Sequence, residues 1–475
     1  MTVSQSRHYN RITLPSSAVG IVVAAGLASL TATYWDDAWH TDLGRDDAFI
    51  PPHLLLYGSI AVSGLVVASW GLLTIWRARS FLAVFRQPDL LTAAAGGIVT
   101  LGAAPADAFW HDAFGRDAVL WSPPHILGVF GTVALIVGIV AGVRPGIPSW
   151  LTSAAGALLL GGALVSVMEF ETDVPQFNEA LYLPVLLIGA MFATLALRQL
   201  MPGRFSVARV VCAYGVARLI ITAVLLVLGR TTPDLPLAII GLAAMDLPWR
   251  RATTAYAAGA AGISLTTLIS SSFGLTSVPV LSVLPTALPV TVVFVVAALA
   301  ESRRLRPAAT ALLLGGIIVL PLTDQDQALA HDPGQGEPVA QVSLVGTSDG
   351  HGSLSLTGEL PRDATPSRIV ARRAGETVTG TLGTGTVRVP PTGVWFVYLE
   401  ATHPRGAVET WLPLDASAKE RVSERRDLYL PVGRASGASM SAAQIATGAA
   451  LYALGIGVLV LAVAQARRAS VDTAV

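Results

Sequence analysis

The chain has 475 residues, 53% of them hydrophobic and 13% charged, and its 31 basic and 31 acidic side chains cancel to zero net charge. A chain this apolar cannot hide its surface in an ordinary soluble core and has to place much of it in lipid. The absence of a basic face excludes nucleic acid as a partner, and a lone cysteine, Cys212, excludes internal disulfides and thiolate clusters, so any metal here is held by nitrogen and oxygen.

Apolar stretches run along the chain at about 17–33, 54–76, 90–106, 125–143, 151–169, 181–200, 208–229, 235–248, 252–272, 284–300, 307–322 and 442–465. Several approach the roughly 20 residues that a spanning helix needs. The expected fold is mainly α: a polytopic membrane helical bundle of about 12 spans filling 1–322, with the last span in 439–475. The first stretch reads as a retained signal anchor, because a second span follows without a small-residue cleavage pattern.

Arginines mark alternate loops: Arg7 and Arg11, Arg77 to Arg86, Arg144, Arg198 to Arg209, Arg250 and Arg251, Arg303 to Arg306, then Arg467 and Arg468. The positive-inside rule then puts both termini in the cytoplasm of a bacterial plasma membrane, with the acidic loops outside.

The first outer loop is repeated in the second. Asp36, Trp39, His40, Gly44, Arg45, Asp46, Pro51, Pro52 and His53 recur as Asp107, Trp110, His111, Gly115, Arg116, Asp117, Pro123, Pro124 and His125. The offset is 71 residues through Asp117 and 72 from the prolines on, which predicts a duplication of two-helix units at about 17–76 and 90–143. Copies with two helices each share an orientation, so the expected axis lies along the membrane normal. The acidic segment from Met168 to Pro175 resembles a third copy without histidine, and chance explains it equally well.

In each unit a carboxylate and an imidazole four residues apart share one helical face, and a second imidazole enters from the next helix after a Pro-Pro start. Asp36, His40 and His53, and likewise Asp107, His111 and His125, are thus candidate metal ligands, with Arg45, Asp46, Arg116, Asp117, Glu171 and Asp173 as candidate supporting charges. The architectural alternative is an interfacial belt of aromatic and histidine rings, with Gly-Arg-Asp turns held by local ion pairs. Clustered ionisable groups at a membrane boundary favour the metal.

The spacing Asp36-x3-His40-x12-His53 resembles the metal site in the C subunit of the copper membrane monooxygenases, the particulate methane and ammonia oxidisers. That resemblance implies copper-ligand roles for Asp36, His40 and His53 and a link to oxygen chemistry. The second copy departs from it, with thirteen residues between His111 and His125.

Further along, Arg218 lies mid-span with Tyr214 a turn before it, and Asp246 is its expected partner. Residues 323–438 form the one large soluble segment, extracytoplasmic by the same orientation. Strands are expected at Val339–Val345, Ser353–Leu356, Arg368–Ala371, Thr377–Leu382, Thr386–Val389 and Val394–Glu400, within a total of about seven or eight. They predict an immunoglobulin-like or cupredoxin-like sandwich. The segment from Thr379 to Thr386 lacks a phosphate-loop ending and reads as a turn.

Ala328-Leu329-Ala330 before His331 looks like a cleavage site, and cleavage would leave an N-terminal histidine as in the B subunit of the copper oxidisers and in small periplasmic copper carriers. The alternative is an uncut chain with His331 in a linker. His331, His351 and His403 are candidates for a second site, or ordinary loop histidines. Without a cysteine in the segment, a blue-copper centre is excluded.

Three functions follow as expectations. The first is copper uptake, delivery or storage through the duplicated Asp/His/His site. The second is a copper- or iron-dependent membrane oxidase or monooxygenase. The third is a structural or sensory membrane protein without metal. Zinc and non-haem iron fit the same nitrogen and oxygen donors. The lipid bilayer, a metal ion and an extracytoplasmic protein met by the β domain are the expected partners, and no particular oligomer is specified.

Overall fold

The computed structural model describes residues 12–43, 49–114, 120–144, 146–175, 177–201, 203–299, 336–374, 376–431 and 441–472, without the side chains of 111, 112, 336, 431 and 467–472. Ten helices among these are long and apolar enough to cross a membrane. They are α1 (Ser16–Asp42), α2 (Pro51–Ala78), α3 (Pro88–Phe114), α4 (Pro123–Ala141), α5 (Ser149–Leu164), α6 (Tyr182–Leu200), α7 (Ser206–Val227), α8 (Ala252–Ser272), α9 (Val280–Leu299) and α10 (Ala442–Asp472).

Of the twelve expected spans, the one at 307–322 lies outside the described residues. The one at 235–248 is a correction: Leu237–Asp246 forms a 3-10 helix of 10 residues, about 20 Å long, too short to cross the roughly 30 Å hydrocarbon core. Prolines 233, 236 and 248 bound it. Gly241 there meets Gly262 of α8 backbone to backbone, so that a Cβ added to Gly241 would lie 2.1 Å from the Gly262 carbonyl carbon.

The helices sort by the faces they bury. α4, α5 and α6 are the most enclosed, and their leucines, valines and alanines supply much of the core together with Tyr34, Phe170 and Tyr214. α2 and α9 turn large apolar side chains outward, among them Leu65, Leu72, Trp76, Leu281 and Leu288, as a lipid-facing helix must.

α3 and α4 touch backbone to backbone. A Cβ on Gly96 would stand 2.3 Å from the Leu135 nitrogen, and one on Gly138 would stand 2.3 Å from the Ala93 nitrogen. Small residues permit this approach, as is general for helices packing in lipid. At the arginine-marked end of the bundle, Leu14 N donates to Gly142 O at 2.8 Å, and Trp70 and Gln87 both donate to Ile12 O.

Eight antiparallel strands follow: β1 (Gly336–Asp349), β2 (Ser353–Gly358), β3 (Thr365–Arg373), β4 (Glu376–Thr379), β5 (Thr386–Arg388), β6 (Val394–His403), β7 (Gly406–Asp415) and β8 (Lys419–Pro431). The expected strands are all present, and the expected sandwich is not. One sheet in the order β4-β3-β6-β7-β8-β1-β2-β5 curls into a nearly closed barrel whose two edge strands meet. There Thr381 N donates to Thr386 O at 2.7 Å, while Gly380 N extends the β4–β3 pairing by donating to Ile369 O of β3 at 2.9 Å. A Cβ on Gly380 would lie 2.3 Å from Thr386 O, so this residue type lets the edges approach. Closing the ladder removes exposed sheet edges and leaves a single interior, filled by Val342, Leu344, Ile369, Trp395, Val397 and Leu412.

The outside of the barrel rests on the bundle. Val370, Phe396, Tyr398 and Trp411 pack on Val174 of the loop between α5 and α6. Arg373 of β3 reaches into that loop, where its Nη2 lies 2.7 Å from Asp173 Oδ1 and 2.8 Å from Glu179 Oε1. Val394 N donates to Asp173 Oδ2 at 3.1 Å and Ala374 N to Pro175 O at 3.0 Å.

Candidate metal centre

α1 has 27 residues and so is about 40 Å long, more than the hydrocarbon core requires. Its final turns carry Asp36 and His40 on one face, with His40 Nε2 3.7 Å from Asp36 Oδ1. α2 starts with Pro51 and Pro52 in its first turn after an extended Ile50, and this rigid entry sets His53 one turn in. His53 Nε2 lies 3.1 Å from the same Asp36 oxygen.

One ligand atom from each of the three residues lies within 4.8 Å of the other two, with His40 buried and its neighbours half-buried. Among the described residues this is the one group of three such donors within mutual reach. A nitrogen and an oxygen each bound about 2.1 Å from a tetrahedral metal stand about 3.4 Å apart. The two observed N···O separations bracket that edge. Two imidazoles and a carboxylate make a donor set for a divalent transition ion with positions left open, and the set alone does not select copper over zinc or iron.

The surroundings fix the cluster. Trp35 and Trp39 meet edge to face at 6.4 Å, and Arg230 stands over the Trp39 ring at 5.4 Å. Asp42, at the end of α1, accepts from Thr231 N at 2.9 Å and from Thr231 Oγ1 at 2.6 Å. Asp37 is buried beside Asp36.

The second set of expected ligands is brought together in part. His125 Nε2 lies 3.5 Å from Asp107 Oδ1, and Ser122 Oγ lies 2.9 Å from His125 Nδ1. His111 is on α3 four residues beyond Asp107, with its side chain outside the described residues. Arg45, Asp46, Arg116, Asp117 and His331 also lie outside them.

His351 is exposed in the β1–β2 turn, where its backbone nitrogen and that of Ser353 donate to Asp349 Oδ1 at 2.7 and 3.0 Å and hold that carboxyl below its ordinary range. His403 ends β6, with Nε2 3.2 Å from Asp363 Oδ2. The described structure does not gather His351 and His403 with a third donor.

Glu171 and Asp173 anchor other contacts. Glu171 Oε2 pairs with Arg218 Nη1 at 2.5 Å, deep in the bundle. The expected partner of Arg218, Asp246, instead accepts from Ala208 N at 2.7 Å. Tyr214 OH is 3.1 Å from Arg218 Nη1, the Tyr34 ring lies under the guanidinium at 4.6 Å, and the Asp234 carbonyl takes Nη2 at 2.5 Å. This makes a buried charge with multiple partners, the arrangement that tolerates a guanidinium away from water.

Sequence reasoning missed Asp37, Asp234 and Ser122. Of these only Ser122 had a local signal, a cap residue directly before Pro-Pro.

No protein-family model, no curated protein and no solved structure matches the chain. The likeness to the copper membrane monooxygenases therefore rests on the spacing of Asp36, His40 and His53 alone.

Proposed function

We propose that this protein handles copper at the outer boundary of the membrane, taking up, delivering or storing the ion at Asp36, His40 and His53. The observation that carries the reading is the convergence of these three donors, within 4.8 Å of one another, from two consecutive helices. Copper is the metal because this donor spacing resembles that of the copper membrane monooxygenases.

The arginine pattern supports an extracytoplasmic orientation for the centre, and the sequence correspondence supports a duplication that supplies Asp107, His111 and His125 as further ligands. The barrel is seated on the loop between α5 and α6 and would meet incoming metal or a partner protein from outside.

A second reading is oxidase or monooxygenase chemistry at the same centre, with copper or iron. Its support is the two-histidine, one-carboxylate donor set, which leaves positions for oxygen.

The test is elemental analysis of detergent-purified protein after exposure to copper and zinc and washing, for the native chain and for His40→Ala combined with His53→Ala. Copper retained by the native chain and lost in the variant supports the reading. Metal in neither form leaves the cluster as architecture. Oxygen consumption by the copper- or iron-loaded native protein with an apolar substrate would move the assignment to the second reading.

A further inference from the structure

We infer that Asp107 and His125 form a second cation site beside the first, so that the bundle holds two cations at neighbouring half-sites rather than one. The inference rests on the metal reading above and extends it.

Geometry carries it. The 3.5 Å between His125 Nε2 and Asp107 Oδ1 is longer than a good N–H···O hydrogen bond of about 2.7–3.2 Å, and it matches the roughly 3.4 Å edge between two ligands on a tetrahedral ion.

The ring is also oriented from behind. Ser122 Oγ accepts from His125 N at 3.3 Å and lies 2.9 Å from Nδ1. In the tautomer that donates Nδ1–H to that oxygen, the Nε2 lone pair is directed toward the Asp107 carboxylate, and a cation can bridge the two. An oriented imidazole with its second nitrogen tied to an oxygen is the general pattern of metal-binding histidine.

The two half-sites are neighbours. α2 packs on α1 and on α3, and α3 packs along α4, so the four helix ends that carry the donors gather on one side of the bundle. The His125 side chain is 36% exposed against 5% for His40, so the second site is the more open of the two. Openness predicts faster exchange and weaker binding there, with the deeper site filling first.

The experiment counts cations on the full chain in detergent, titrating Cu2+ alone and reading bound equivalents by equilibrium dialysis. Three proteins are compared: native, Asp107→Asn with His125→Ala, and His40→Ala with His53→Ala. The expected result is two equivalents of unequal affinity on the native chain, with the weaker one lost in the first variant.

Ser122→Ala keeps both ligands and removes only the orienting contact. It should weaken the second equivalent about tenfold and leave the first unchanged. On the native protein itself, the two Cu2+ environments should give two distinct electron paramagnetic resonance signals that fill in sequence, a readout independent of variant folding. One equivalent on the native chain, with a single signal, overturns the second site and leaves the first intact. No equivalent at all overturns the metal reading along with it.

Discussion

Arg373 of strand β3 closes on Asp173 of the loop between α5 and α6, with Nη2 2.7 Å from Oδ1 and Nη1 donating to the Asp173 carbonyl at 2.7 Å. Asp173 accepts it from a left-handed backbone conformation, φ +61°, which aspartate adopts more readily than most residues. Two residues earlier Glu171 holds Arg218, and between them the Thr172 hydroxyl donates to the Met168 carbonyl at 3.2 Å. A short stretch of chain thus joins the seat of the barrel to the buried ion pair of the bundle.

Removing Arg373 strands a carboxylate that burial already pushes above its ordinary range, the pairing with Arg373 being what opposes this. Arg373→Met should loosen the barrel from the bundle by roughly 3 kcal/mol, the scale for losing one partner of a largely buried pair. Hydrogen exchange in the loop before α6 should rise. An acid whose folded pKa is raised destabilises the fold above that value and ceases to do so once protonated, so the defect should be largest near neutral pH and shrink as pH falls through the carboxylate range. A defect that grows on acidification would contradict this assignment.

Within the bundle, Glu171→Gln or Arg218→Met alone should cost about 3–5 kcal/mol, because each leaves a charge or its partners unmatched away from water. The double variant should recover part of the loss. Thermal unfolding in detergent of the two single variants and the double variant gives the coupling, and simple additivity would show that the two side chains do not act as a pair.

Asp36→Asn should lower metal affinity on the order of 100-fold, because Asp36 alone faces both imidazoles of the first cluster. Protons compete for the same nitrogens, so retention should fall away below about pH 6 even in the native chain. Dialysis against Cu2+ across a pH series checks both expectations.

Gly96→Ala and Gly138→Ala should force α3 and α4 apart, since each new Cβ would meet backbone atoms that cannot turn aside. A cost of about 1–3 kcal/mol is expected. Because Asp107 and His125 face each other from these same helices, their 3.5 Å separation should widen too. Gly102→Ala on α3, where no atom lies within 4 Å of the added carbon, is the control and should melt like the native chain.

What sequence alone determined was local. Apolar run length announced the bundle, alternation announced strands, and a carboxylate followed by an imidazole four residues later announced a shared helical face at Asp36 and His40. Proline at the start of α2 was enough to expect His53 at the entry of the next helix.

Only the tertiary structure decided what depends on several elements at once. Alternation looks the same in a sandwich and a barrel, because both bury one face, and the choice rested on two edges meeting at Gly380 and Thr386. The prolines and the Gly241–Gly262 contact made a short 3-10 segment out of what read as a span. Arg218 chose Glu171 over Asp246 because helix packing, not separation in sequence, sets which charges meet. Small residues are spread through every helix, and it took the α3–α4 crossing to show that Gly96, Gly131 and Gly138 are where these two backbones touch.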